Sequence, residues 1–286
     1  MPSFSWPAIA ALIRLPNQAG TWLLMLPALW ALVLASRGRP PLGLLLVFAA
    51  GSFLMRSAGV IFNDLADRGI DRQVSRTSTR PLARGTVTPP MALAVAGVLL
   101  VLACGLLLLL NTFTLLLSPV ALLLAILYPY AKRIIPLPQA VLGIAFGWGA
   151  IMAWAAVRES LDLPAWLLYG ATICWAIAYD TVYSLQDRED DARVGVKSAA
   201  LLFGVHTWLA VAISLSTMLV LLGLAGWLWG VGPVFYAMLA AVAGFFSLQI
   251  ARLRRQVLPA LAFAMFQHHI WAGTAILIGI WLGSFF

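Results

Sequence analysis

Charge is scarce in this sequence: only 10% of its 286 residues are Asp, Glu, Lys or Arg, against about 25% in soluble domains. Histidine and cysteine are scarcer still, with three and two residues. The two cysteines, Cys104 and Cys174, lie inside apolar runs with no CxxC pattern or neighbouring histidine. A disulfide scaffold and a zinc site are therefore excluded, and both cysteines read as small apolar side chains. His206, His268 and His269 are scattered near the ends of expected spans and read as structural. With 63% hydrophobic residues and a mean hydropathy of +0.97, a water-soluble globule is excluded as well. Lipid is the solvent that suits such a chain.

What is abundant is apolar runs long enough for a bilayer, which needs about 20 residues per helical span. Nine spans are expected, near Gly20–Ser36, Leu42–Phe62, Met91–Leu110, Thr112–Tyr128, Pro138–Val157, Pro164–Leu185, His206–Trp229, Gly232–Ile250 and Ala260–Leu282. Residues 1–19, with Pro2, Pro7 and Arg14, lack the order of a cleavable signal and read as a tail or interfacial segment. The whole chain, 1–286, reads as one polytopic all-α membrane domain.

The cations test this drawing, because hydropathy does not use them. Fifteen fall on one side, and three, Arg37, Arg39 and Arg158, fall on the other. The positive-inside rule then puts the Arg-rich side in the cytoplasm. It also accounts for a pI near 10.2 without nucleic acid, for which these spans leave no solvated face.

Of ten acidic residues, eight fall in two clusters, Asn63–Asp71 and Asp180–Asp191. Each begins at the cytoplasmic end of a span. If the second helix continues, Asn63, Asp67 and Asp71 recur at i, i+4, i+8 on one face, which Arg56 shares from within the membrane. Asp180, Tyr183, Asp187 and Asp191 share a face by 3-4-4 spacing. Stacked carboxylates repel and call for a cation. Hard oxygen donors suit Mg²⁺, which completes its shell with water and substrate phosphate. A diphosphate between the clusters would leave more readily once neutralised. Asp180 falls within a span, where an ionisable residue defaults to function; Asp64 and Asp190 lie off the main faces.

Arg76 and Arg80 directly follow the first acidic face, and either would bind phosphate through its planar fork. Arg68 and Arg84 are read as satisfying headgroups and topology. Tyr128-Pro129-Tyr130-Ala131-Lys132-Arg133 closes the fourth span, where one cation would hold a substrate carboxylate and the other snorkel. Lys197 is a further candidate for diphosphate. Phe62, Tyr128, Phe146, Trp148, Trp175 and Tyr183 are candidates for lining an apolar cavity.

Asn63-Asp64-x-x-Asp67-x-x-x-Asp71 followed by Arg76-Thr77…Arg80-Pro81-Leu82…Gly85 resembles the first signature of the UbiA-type membrane prenyltransferases. Tyr179-Asp180-Thr181-x-Tyr183-x-x-x-Asp187-x-x-Asp190-Asp191…Gly195-x-Lys197-Ser198 is similar to the 4-hydroxybenzoate polyprenyltransferase branch. So is Tyr128-Pro129…Lys132-Arg133…Leu137-Pro138-Gln139. The resemblance runs from about Arg14 to Gly273. It implies nine helices around a central cavity, with cytoplasmic Asp-rich caps and a lateral opening to lipid. It further implies that Asn63, Asp67, Asp71, Asp187 and Asp191 hold Mg²⁺–diphosphate. Arg76, Arg80 and Lys197 would assist on phosphate, while Arg133, with Tyr128 nearby, would orient the aromatic acid. The implied reaction joins a polyprenyl group to 4-hydroxybenzoate, a step of ubiquinone biosynthesis in a bacterial inner membrane. No obligate protein partner is implied. Two departures stand out: the family's Lys-Pro-Ile-Gly reads Asn17-Gln18-Ala19-Gly20, and its Asn-rich His-Trp segment reads Gln267-His268-His269-Ile270-Trp271.

Two rivals follow from the same residues. Homogentisate, a naphthoate or a porphyrin-type ring would serve as alternative acceptors. A cation-coupled transporter would also carry intramembrane acids, but near the midplane, whereas these gather at one face.

Overall fold

The structure, a computed structural model, describes residues 5–286, with the side chains of Lys132 and Arg133 outside the description. Its helices are α1 (Trp6–Leu12), α2 (Ala19–Ala35), α3 (Leu42–Ala66), α4 (Arg68–Asp71), α5 (Pro81–Arg84), α6 (Pro89–Leu107) and α7 (Thr112–Ile134). They continue with α8 (Pro138–Arg158), α9 (Leu163–Ser184), α10 (Arg188–Val194), α11 (Ala199–Phe203), α12 (Thr207–Trp229), α13 (Pro233–Leu253) and α14 (Pro259–Gly283). No strand occurs among the described residues.

Seven stretches are long and apolar enough to cross a membrane: α3, α6, residues Thr112–Ala131 of α7, α8, Ala199–Trp229, α13 and α14. This chain is a multi-pass membrane protein. Two further helices coincide with expected spans but differ in kind. α2 has 17 residues and is short of a full span. α9 has 22 residues, and its polar positions Thr172, Asp180, Thr181 and Ser184 lower its hydropathy. α9 packs against α8, α12 and α14, so protein rather than lipid solvates most of it, which relaxes the demand for apolar side chains.

The main core joins α2, α8, α9, α12, α13 and α14 around the buried Trp30, Trp154 and Trp175. Its indoles are tied across helices. Trp30 donates to the Gly273 carbonyl at 2.9 Å, and Trp175 donates to Nδ1 of the buried His269 at 3.0 Å. α8 and α9 approach closely because residue 143 is glycine, where a Cβ would stand 2.8 Å from the Ile173 Cα. By contrast α6 buries only Ala92, Ala96 and Leu99, at i, i+4, i+7, against α3. Val98, Val101 and Leu102 are exposed. A helix apolar all round with one thin packed stripe is built to face lipid.

The described part of the amino-terminal tail is ordered. Ser5 caps α1 by accepting from the Ala8 amide at 3.3 Å, and Leu12 enters a second core with Ala58 and Ile61 of α3, Leu82 of α5 and Ala92 of α6. The tail thereby brings Arg14 to the end of α3. In α7, Pro119 removes the amide that would bond the Leu115 carbonyl, and the Ser118 hydroxyl donates to that carbonyl instead, at 2.8 Å.

Candidate active site

α3 ends at Ala66, and Asp67 interrupts it before α4 begins at Arg68. The helical hydrogen-bond rhythm nonetheless survives: the Asp67 amide bonds the Asn63 carbonyl at 2.9 Å, and the Asp71 amide bonds the Asp67 carbonyl at 2.8 Å. The backbone spacing of Asn63, Asp67 and Asp71 is thus kept through the break, and Asn63 and Asp71 reach the same polar cavity. α5 and α10 each stop on a left-handed glycine, Gly85 at φ +81° and Gly195 at φ +77°. Glycine adopts this conformation without a Cβ penalty, which explains its place in both motifs.

The first acidic segment is buried. Asp64 is 1% exposed, Asp67 0% and Asp71 5%. Arg14 donates to both Asp64 oxygens, at 2.9 and 2.7 Å. Arg80 bonds Asp64 at 3.1 Å and both Asp71 oxygens at 3.0 and 2.9 Å. Burial pushes the Arg14 guanidinium below its ordinary pKa, while the adjoining Asp64 carboxylate opposes that shift. Asp64, expected off the main face, therefore lies at the centre of an ion-pair chain.

The second segment meets the first through Arg76. Its Nε donates to Asp187 at 2.8 Å, its Nη2 bonds the other Asp187 oxygen, and its Nη1 donates to the Tyr183 hydroxyl at 2.9 Å. Burial alone would lower the Arg76 pKa, but the hydrogen-bonded Asp187 carboxylate raises it above the ordinary value. Asp190 fastens the two segments together. It accepts from the Ser75 amide at 3.0 Å and from Arg193 at 2.6 Å, and Arg193 also donates to the Gln73 carbonyl at 2.9 Å. Arg68 and Arg72 bond the Leu82 and Ala83 carbonyls, bracing α4 against α5.

Between these segments lies a polar cavity of about 180 Å³. Asn63, Asp71, Asp180, Asp187, Asp191 and Lys197 are in its wall. A larger cavity of about 710 Å³ adjoins it within the helices, mostly apolar, reaching Phe48 and Met55 of α3, Cys104 of α6 and Leu122 of α7. Asn63, Arg76, Arg80, Tyr128, Asp180 and Tyr183 belong to both walls. A molecule with an anionic head and an apolar tail would fit across that junction.

Asp67 is buried at the end of α3 and lines neither cavity. Among the aromatic expectations, Tyr128, Phe146 and Tyr183 line the larger cavity, whereas Phe62, Trp148 and Trp175 do not. Trp148 is a correction: its indole donates to the Leu117 carbonyl at 3.0 Å and meets Tyr169 edge-on, so it pins α8 to α7. Arg133, expected to hold a carboxylate, has its side chain outside the described residues. Arg56 gains importance instead. It lines the larger cavity, and its buried Nε has no hydrogen-bond partner among the described residues. Gly20 makes room for it, since a Cβ there would stand 2.5 Å from that nitrogen. The sequence signal was present, an arginine inside an apolar span. Arg14 carried no such signal.

Among the described residues, no group of three or more acidic, histidine or cysteine side chains is placed to hold a metal alone. Arginines stand between the carboxylates. The donor set still fits Mg²⁺, which typically takes only one or two carboxylates and fills its shell with water and phosphate.

A model of the UbiA prenyltransferase family matches residues 24–273. The chain belongs to the UbiA prenyltransferase family. It is 45% identical over 276 residues to a 4-hydroxybenzoate octaprenyltransferase of Yersinia pseudotuberculosis, covering 96% of this chain and 95% of that relative. The apo structure of a UbiA homolog from Aeropyrum pernix K1 matches with a TM-score of 0.75 at 29% identity, covering 92% of this chain and 96% of that one. A UbiA homolog from Archaeoglobus fulgidus, bound to DMAPP and Mg²⁺, matches with a TM-score of 0.70 at 15% identity, covering 94% and 99%. The last likeness concerns the fold alone. Within the UbiA family, the two cavities and their shared polar wall are the region where prenyl transfer is to be sought.

Proposed function

We propose that this chain transfers a polyprenyl group from polyprenyl diphosphate to the ring carbon ortho to the hydroxyl of 4-hydroxybenzoate, a membrane step of ubiquinone biosynthesis. The observation that carries the reading is the junction of a carboxylate- and arginine-lined cavity with a larger apolar one. The near full-length likeness to 4-hydroxybenzoate octaprenyltransferases supports the acceptor. The DMAPP and Mg²⁺ bound by the Archaeoglobus homolog support the donor class and the metal.

Asn63, Asp71, Asp187 and Asp191, all in the polar cavity wall, would hold Mg²⁺ with the diphosphate, and the bound ion would neutralise charge on the leaving group. Asp67, buried outside that wall, would act there through its charge. Arg76 and Arg80 now grip Asp187 and Asp71; the same planar forks suit phosphate oxygens, so they would exchange one anion for the other. The bond between the allylic carbon and the diphosphate oxygen breaks, and the resulting cation needs a dry chamber with π faces nearby. Tyr128, Phe146 and Tyr183 are in that wall. The ring carbon attacks, and its proton passes to Asp187, Asp191 or the released diphosphate. Arg133 keeps its proposed role at the acceptor carboxylate. Arg56 joins it, because a guanidinium inside the helices with an unpartnered Nε calls for an anion.

Counting α2 and α9 with the seven apolar stretches gives nine spans. Both acidic segments then form cytoplasmic caps on a bacterial inner-membrane protein, with a lateral opening to lipid. Membranes containing the protein, incubated with 4-hydroxybenzoate and polyprenyl diphosphate, are expected to yield prenylated acid only with Mg²⁺. Arg56→Met is expected to raise the acceptor KM roughly tenfold or more with the donor KM little changed. An intact preparation that makes no product at any donor length overturns the acceptor, and homogentisate or a naphthoate is tried next. Absence of substrate-dependent pyrophosphate release would favour a cation-coupled transporter.

A further inference from the structure

We propose that Gln139 and Ser198 complete, beside the Lys197 already expected on phosphate, the seat of the distal phosphate, the one not bonded to the prenyl carbon. The inference rests on the donor reading above and adds to it the place where the leaving pyrophosphate is gripped.

Gln139 lies in the first turn of α8, a 21-residue helix whose amino-terminal end adjoins the polar cavity through Pro138 and Gln139. Such an end favours anions. The side chain supplies an independent sign. Gln139 is 4% exposed, it lines the cavity, and its Oε1 has no hydrogen-bond partner among the described residues. A buried amide oxygen without a partner destabilises the fold unless a ligand or its bound water supplies one. That oxygen is an acceptor and takes its hydrogen bond from phosphate-bound water, while the same amide's nitrogen is the group that donates to a phosphate oxygen.

Ser198 repeats the pattern across the cavity. It is 6% exposed, lines the same wall, and its Oγ also has no partner among the described residues. Its position before α11 would suit it to cap that helix, yet it does not do so. The Ala200 amide is bonded by Ser184 Oγ at 3.2 Å instead, which leaves the Ser198 hydroxyl free to serve the cavity. Lys197 brings the two together: its Nζ donates to the Ile134 carbonyl at 2.9 Å, at the end of α7 and just before the short link to Gln139. Lys197 has no carboxylate ion pair among the described residues, whereas Arg76 and Arg80 are occupied by Asp187, Asp64 and Asp71. The corner therefore offers a cation, a hydroxyl and an amide, the donor chemistry that a terminal phosphate accepts.

The test compares wild-type protein with Gln139→Leu, Gln139→Glu and Ser198→Ala, in membranes with Mg²⁺. Gln139→Leu is expected to raise the polyprenyl diphosphate KM about tenfold, with pyrophosphate inhibition weakened by the same factor. The 4-hydroxybenzoate KM should stay within about twofold. Ser198→Ala gives the same pattern at about threefold. Polyprenyl monophosphate, which lacks the distal phosphate, should inhibit all forms alike. Weakening of the monophosphate as much as the diphosphate, or unchanged pyrophosphate inhibition, overturns the seat. Gln139→Glu sets a negative charge there and should weaken pyrophosphate further; tighter pyrophosphate with a lower Mg²⁺ requirement would make position 139 a metal ligand and also overturn it. If Gln139→Leu does not fold, the other two variants decide. If wild type makes no product, the proposed reaction fails, and equilibrium binding of Mg²⁺–pyrophosphate to the same purified proteins still reads the seat.

Discussion

The two acidic segments carry similar side chains but are held in opposite ways. The first, residues 63–84, is sunk into the protein: its aspartates are almost fully buried, and its partner Arg14 comes from the turn after the tail helix, fifty residues away. The second, residues 185–197, lies nearer the surface. α10 buries none of its residues, and its Asp190 and Arg193 reach outward to the Gln73–Ser75 backbone. One segment is a floor fixed by packing and buried ion pairs; the other is a strap fixed by surface contacts. The same carboxylate chemistry can thus be supplied by a buried half and by a half held at the surface.

The sharpest way to break that comparison is to remove one carboxylate from each. Asp187→Ala is expected to lower turnover by about a thousandfold, with thermal unfolding in detergent displaced by less than about 1 kcal/mol, since Arg76 can turn to water. Asp64→Ala leaves Arg14 and Arg80 without their shared buried partner, and is expected to destabilise the fold by about 3 kcal/mol, the low end for a broken buried pair because Arg80 keeps Asp71. Equal destabilisation by the two changes would mean that the strap is as much part of the core as the floor. The smallest effect belongs to Asp190→Asn, which loosens the tie between the segments at a cost of about 0.5 kcal/mol. Its expected trace is faster proteolysis and amide exchange across residues 186–198, with kcat changed less than about threefold.

Much of this was legible from residue order. Apolar runs located the helices because bilayer thickness imposes a length on them, and both acidic clusters stood out against a chain with so few charges. Arg76 and Arg80 could be placed beside them because they follow within a few residues. The Arg14–Asp64 pair could not be seen, since nothing local in a tail segment announces a partner fifty positions later. Gln139 looked like part of a motif, and its importance lies in a missing hydrogen bond, which only coordinates reveal. Trp148 was misplaced for the converse reason: an indole beside cavity residues in sequence turned instead to a neighbouring carbonyl. α9 was legible as the apolar run Pro164–Leu185, although its polar positions lower its hydropathy, which a helix surrounded by other helices tolerates because it answers to protein rather than to lipid.

The junction of the two cavities has a consequence for the direction of the proposed reaction. A donor lying across it is cut where the watery end meets the oily one, so its two fragments belong to different phases from the moment they form. Pyrophosphate drains toward the aqueous surface, and the lengthened aromatic acid stays with its tail in the hydrocarbon. Once apart, they meet again only by crossing a phase boundary. The architecture would thereby act as a one-way valve, built from the partition of products rather than from any moving part.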